Sequence, residues 1–243
     1  MTQALEPQTP GAIRHETITL QAIDGVQVSA HVAHPSATPR ACVVVVQEIF
    51  GVNAHIRAVC DRWAQAGWLA VAPSFFDRLE VGVEMGYDAQ TMARGIALVD
   101  RLGFDPVLRD VDAARRQVGA GLPCGVVGFC WGGTVAVLAA TRMAMPAVSY
   151  YGGRTEGQLH ERPQAPLLMH FGERDAMIPA PSVDRIEAAF AAVAKRTGHE
   201  FAAHRYPAGH GFNRYGHPDH EPVSAALAQE RSEAFLTRHF DDV

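Results

Sequence analysis

One short stretch constrains this chain more than any other: an apolar run that breaks at a cysteine set between glycines. Residues 125–133 read Gly-Val-Val-Gly-Phe-Cys-Trp-Gly-Gly, and a small-residue, helix-favouring stretch continues from Gly133 to Arg142. Val126-Val127 supplies a strand and Gly128 a tight exit. Cys130 then stands where a G-x-S-x-G nucleophile elbow carries its serine. Such an elbow is a strained strand-to-helix turn, so its neighbours must lack Cβ atoms if strand and helix are to pack closely. The helix that follows aims its N–H groups and positive dipole end at the sulfur, which favours the reactive thiolate. Cysteine is also a common small core residue, so the assignment depends on partners elsewhere in the chain.

The rest of the chain alternates strand and helix signals. Asp24-Gly25 marks a hairpin turn between Thr17–Ala22 and Val26–Ala33. The run Cys42–Val46 is apolar throughout, as a strand covered on both faces requires. Helices are predicted from Asn53 to about Ala66, from Asp88 to Leu102 with Gly103 as its stop, and from Pro106 to about Val118. After the elbow come strands at Ala147–Tyr150 and Leu167–His170, a helix at Val183–Lys195, a strand at Ala202–Tyr206 and a terminal helix from about Glu221 to His239. Parallel strands need crossover helices, so the pattern predicts an open, mostly parallel sheet with helices on both faces, an α/β class. Residues 1–12 read as a flexible N-terminus and 13–243 as one domain, a usual size for 243 residues.

Composition narrows the partners. A formal net charge of −5 without a basic run argues against nucleic acid. No apolar stretch approaches the length of a membrane span, and Met1–Pro10 lacks the features of a secretory leader. Cys42, Cys60, Cys124 and Cys130 form no C-x-x-C pair. They read as free thiols of a cytoplasmic protein, with no metal and no cofactor implied. His217 and His220 flank Pro218-Asp219, a spacing better read as solvated surface than as a metal site.

A cysteine nucleophile needs a base, and the base needs an orienting acid. In the sheets that carry a G-x-S-x-G elbow the order along the chain is nucleophile, acid, histidine. Asp175 lies in the turn Gly172-Glu173-Arg174-Asp175, after the strand at Leu167–His170, with Glu173 as its neighbouring competitor. His210 lies in Gly209-His210-Gly211-Phe212, just past the last strand. Any one of these is also an ordinary turn aspartate or loop histidine. Glu48, directly after Val43–Val46, is costly to bury unpaired, so it either reaches solvent or has a polar partner. By position, the backbone N–H groups of Ile49 and Trp131 would form an oxyanion hole.

Together the segments Gln47-Glu48-Ile49-Phe50-Gly51-Val52-Asn53, Gly128-Phe129-Cys130-Trp131-Gly132-Gly133, Tyr150-Tyr151-Gly152 and Gly209-His210-Gly211-Phe212 resemble the dienelactone hydrolase (carboxymethylenebutenolidase) family, over about residues 16–236. The resemblance implies an α/β-hydrolase fold and a Cys130–His210–Asp175 triad. It implies a resting Cys130 thiol bonded to Glu48, with the proton passing to Glu48 when substrate arrives. It implies a carboxylate-bearing lactone as substrate, held by Arg94 and Arg214, with Phe50 and Tyr150 at the pocket. The chain departs from the family pattern at Leu98, Gly211 and Trp131, all expected at the pocket wall. The expected partner is a small lactone or ester, and the expected assembly a monomer or small homo-oligomer. The alternatives are a hydrolase of another ester or thioester, and a thiol-redox or ligand-binding protein on the same scaffold.

Overall fold

A computed structural model describes residues 12–240. Among them runs one eight-stranded sheet. Its strands are β1 (Arg14–Gln21), β2 (Gln27–His34), β3 (Cys42–Val46), β4 (Leu69–Pro73), β5 (Cys124–Phe129), β6 (Ala147–Tyr150), β7 (Leu167–Gly172) and β8 (Phe201–Tyr206). Their spatial order is β1-β2-β4-β3-β5-β6-β7-β8. The opening hairpin and the β2–β4 pair are antiparallel, and every other pair is parallel. This is the α/β-hydrolase fold, with the sheet and its covering helices arranged as the alternating pattern requires. The expected flexible N-terminus lies outside the described residues, except for its last position.

The central strands β3, β4, β6 and β7 are buried along their whole length, which explains their uninterrupted apolar runs. The helices are α1 (Ala54–Gln65), α2 (Ala89–Leu102), α3 (Asp105–Gln117), α4 (Trp131–Arg142), α5 (Ala180–Thr197) and α6 (Pro222–Arg238). The cap signals act as read. Asn53 Oδ1 accepts from the Ile56 N–H, and Asp88 Oδ1 from those of Gln90 and Thr91. Helix α5 starts three residues earlier than its apolar spacing suggests, because Pro181 sits in the first turn, where no N–H is needed. Within the irregular stretch after β4, a short 3-10 turn at Phe75–Arg78 buries both phenylalanines. Arg78 from this turn clamps the hairpin to α3, donating to Asp24 and to the buried Asp110. No helix among the described residues is long and apolar enough to cross a membrane.

The elbow is where the sheet is packed most tightly. A Cβ on Gly128 would lie 1.8 Å from the Gly132 carbonyl oxygen. One on Gly132 would lie 2.4 Å from the Gln47 oxygen, and one on Gly133 2.7 Å from that of Tyr150. The first turn of α4 therefore touches the backbones that leave β3 and β6. No side-chain movement relieves a clash with backbone. Gly128→Ala should cost at least about 3 kcal/mol of stability, measured by urea unfolding. A loss below about 1 kcal/mol, the range of an ordinary surface change, would contradict this packing.

Candidate active site

Cys130 is held in a conformation that L-residues avoid, with φ at 54° and ψ at −118°. Its N–H donates to the Tyr150 carbonyl oxygen at 3.0 Å, and α4 starts at the next residue. The sulfur thus sits at the N-terminal end of a helix whose first N–H groups have no intrahelical partner.

The loops after β7 and β8 are stitched together by backbone hydrogen bonds. Glu173 N–H donates to the Tyr206 oxygen at 2.8 Å, and Arg174 N–H to that of Ala208 at 2.9 Å. Gly172 permits this crossing, since a Cβ there would lie 2.5 Å from the Ala208 oxygen. Asp175 and His210 are brought together as a result. Asp175 Oδ1 accepts from the N–H groups of Met177 and Ile178, as a turn aspartate does. Its Oδ2 is left for His210 Nδ1 at 2.8 Å. His210 Nε2 in turn lies 3.1 Å from Cys130 Sγ. The competitor Glu173 is exposed and points away. Burial opposes a charge on His210, but the Cys130 sulfur and the Asp175 carboxylate outweigh it and raise its pKa to about 10.

Glu48 is fully buried, as feared from its position, and its partner is Arg214. The guanidinium Nε donates to both carboxylate oxygens, at 2.9 and 3.0 Å, and Nη1 donates to Asp219 at 3.0 Å. The same guanidinium carbon lies 4.9 Å from the Tyr87 ring centre and 5.7 Å from that of Phe50. The expected Glu48–Cys130 hydrogen bond is therefore replaced by two others: Cys130 pairs with His210, and Glu48 with Arg214. A buried carboxylate gains far more from a charged fork than from a neutral thiol. Gly211 makes this possible. It has a φ of 78°, and a Cβ would lie 2.7 Å from the Arg214 guanidinium carbon. Any side chain at that position would require the guanidinium to shift.

A cavity of about 800 Å³ opens above the sulfur. Ile49, Phe50, Cys130, Trp131, His210 and Arg214 line it. Met92 and Ile96 from α2 and Met177 from the Asp175 loop form its apolar lip. Two expected pocket residues are elsewhere. Helix α2 turns Arg94 away from the cavity and into an exposed ion pair with Glu80. Tyr150 is core, its hydroxyl bonded to Ser232 at 2.7 Å. Of the three departures from the family pattern, only Trp131 lines the cavity. Leu98 packs into the core, and Gly211 acts through Arg214.

Sequence reasoning missed Tyr151, although it stands in a quoted motif. This residue has a φ of 39°, is fully buried, and sets its ring, tilted, 5.0 Å from that of His210. Burial, reinforced by the Glu48 charge, raises its pKa and keeps the phenol neutral. Tyr87 and Asp219, the other neighbours of Arg214, carried no local signal at all.

Comparison with known proteins identifies the family. The model of the dienelactone hydrolase family matches residues 28–240. The carboxymethylenebutenolidase of Pseudomonas putida is 33% identical over 229 residues, covering 91% of this chain and 95% of the relative. A crystal structure assigned as a dienelactone hydrolase from Klebsiella pneumoniae aligns with a TM-score of 0.78 at 30% identity, covering 93% of this chain and 99% of that one. A dienelactone hydrolase-like promiscuous phosphotriesterase from metagenomic libraries shares the fold, with a TM-score of 0.74 at 19% identity over 94% of this chain and 99% of that one. The chain belongs to the dienelactone hydrolase family and is a hydrolase of that family.

Proposed function

We propose that the protein opens a carboxylate-bearing lactone, or cleaves a related ester, through a thioester on Cys130. The observation that carries this is the continuous hydrogen-bonded line from Asp175 through His210 to the Cys130 sulfur, at the floor of an open cavity. The thiolate attacks the acyl carbon. The N–H groups of Ile49 and Trp131 take the negative charge of the tetrahedral oxygen, an effect of roughly 3–4 kcal/mol per donor. Collapse expels an alkoxide or enolate, which takes from His210 the proton that came from the thiol and leaves the ring neutral. His210 then takes a proton from water as the water attacks the thioester, and the carboxylic acid leaves. Asp175 keeps the ring oriented and stabilises the imidazolium.

Glu48 acts through its neighbours. With Cys130 already facing His210, the thiol proton has a base without passing through the carboxylate. The negative charge of Glu48 instead holds Arg214 at the cavity wall, where its remaining N–H groups meet the substrate carboxylate. Arg94 would first have to leave Glu80, so recognition of an acidic substrate rests on Arg214. A thiol-redox role has less support. Cys124 opens β5 at the end opposite Cys130 and lies beside Cys42, while Cys60 is buried on α1, so none is poised as a resolving thiol.

Two measurements test this. Cys130→Ala should lower kcat/KM for an activated ester and for an acidic enol lactone by about 10³-fold or more. Full activity in that variant would reject the nucleophile, and an equal KM for the acidic lactone and its methyl ester would reject carboxylate recognition. The second measurement is the NMR titration of the His210 ring. Its folded pKa lies above the usual 6.5, so the ion pair stabilises the fold fully below about 6.5 and is lost as the pH rises towards 10. Cys130→Ala should lower the His210 midpoint by more than about one unit. A midpoint near 6.5 in both proteins would contradict a charge-assisted Cys130–His210 pair.

A further inference from the structure

Far from the elbow, at the hairpin edge of the sheet, three metal-ligating side chains converge. In the antiparallel register His15 faces Ala33 and Thr17 faces His31, so His15 and His31 are diagonal neighbours on one face of β1 and β2. Helix α1 packs on that face and brings in Asp61. One donor atom from each of the three lies within 4.8 Å of the others. His15 Nε2 and Asp61 Oδ1 are 3.5 Å apart, and the two imidazoles meet edge to face with centres 5.4 Å apart. His31 Nε2 and Asp61 Oδ1 are both buried atoms with no hydrogen-bond partner. Buried polar atoms are seldom left so, and among the described residues the only ion-pair partner of Asp61 Oδ1 is His15 Nε2, at 3.5 Å.

We propose that His15, His31 and Asp61 form a binding site for a divalent transition metal of the zinc type, which pins the opening hairpin to α1. Two imidazoles and a carboxylate are a borderline-soft donor set that suits Zn²⁺ and its neighbours rather than Mg²⁺ or Ca²⁺. Tetrahedral bonds of about 2.0–2.2 Å set ligand atoms about 3.3–3.5 Å apart. The His15–Asp61 pair already has that spacing, and the half-exposed His15 ring is free to close the rest by rotation. A metal takes the imidazoles neutral. The nearby cation is Arg57, one turn earlier on α1. Both of its Nη atoms are held by Glu84 at 2.8 Å, which offsets its charge. Three protein ligands leave the fourth position to water. The site joins residues from β1, β2 and α1, so metal binds the folded chain selectively and stabilises it. Sequence reading looked for metal at the cysteines and around His217, and passed over this trio because its members are distant in sequence.

The test uses tag-free, EDTA-treated full-length protein, titrated with ZnCl₂ by calorimetry and with Co²⁺ by visible absorption. One equivalent of Zn²⁺ should bind, the melting temperature should rise, and Co²⁺ should give a tetrahedral d–d band. His15→Ala, at the exposed edge, and Asp61→Asn should each weaken Zn²⁺ by about tenfold or more with ester hydrolysis unchanged. Cys130→Ala should keep full binding. The proposal is overturned if wild-type protein binds no Zn²⁺, or if His15→Ala and Asp61→Asn bind it undiminished. Loss of binding on Cys130→Ala alone would assign the metal to the thiol instead.

Discussion

The left-handed backbone at Cys130 is the constraint on which the rest of the site depends. A residue with a side chain is forced to a φ of 54° so that its sulfur stands clear of both the strand it leaves and the helix it starts. Conformations of this kind cost about 1–3 kcal/mol and persist only where the surroundings leave no alternative. The surroundings here are backbone. Gly128, Gly132 and Gly133 let α4 sit against the ends of β3, β5 and β6 with no side chain between. The Cys130 N–H is tied across to β6. The same glycines that strain the turn bring the end of β3, with Ile49, beside Trp131. A pair of oxyanion donors there would be a by-product of the packing that raises the sulfur.

A second device places a buried ion pair at the wall of the cavity. Glu48 at the end of an inner strand would be intolerable alone, and Arg214 would be equally so. Joined through Nε to both carboxylate oxygens and flanked by Tyr87 and Phe50, they are a buried ion pair whose Nη1 also reaches Asp219. Such a pair adds little to stability compared with apolar residues of the same volume, but removal of one partner is expensive. Its value lies in a fixed positive group beside the sulfur. Gly211 is part of the device: a Cβ there would lie 2.7 Å from the guanidinium carbon, so the arginine would have to shift.

Much of this was legible in the residues themselves. Cys130, Asp175 and His210 each sit one short loop beyond a strand, in the order that brings three loops to one edge of the sheet, and they do meet. Glu48 announced itself as a charge that must reach either solvent or a polar partner, but the choice between Cys130 and Arg214 was not legible. It turns on whether a Cβ at residue 211 blocks the guanidinium, a contact between side chains and not a pattern. Arg94 and Tyr150 went wrong for a similar reason. Helical phase placed Met92 and Ile96 at the cavity and turned Arg94 aside to Glu80. Strand alternation sent the Tyr150 ring into the core towards Ser232, leaving Tyr151 beside His210. The histidine pair on the hairpin is invisible until the antiparallel register is known.

The claim at the centre is that Cys130 carries the acyl group. Rapid quenching of the protein with an activated ester, followed by intact mass spectrometry and peptide mapping, tests it most directly. A single added acyl mass, mapped to Cys130, labile to hydroxylamine and lost as turnover completes, is the predicted result. Steady hydrolysis with an unmodified cysteine, or an acyl group mapped to any other residue, would contradict the account.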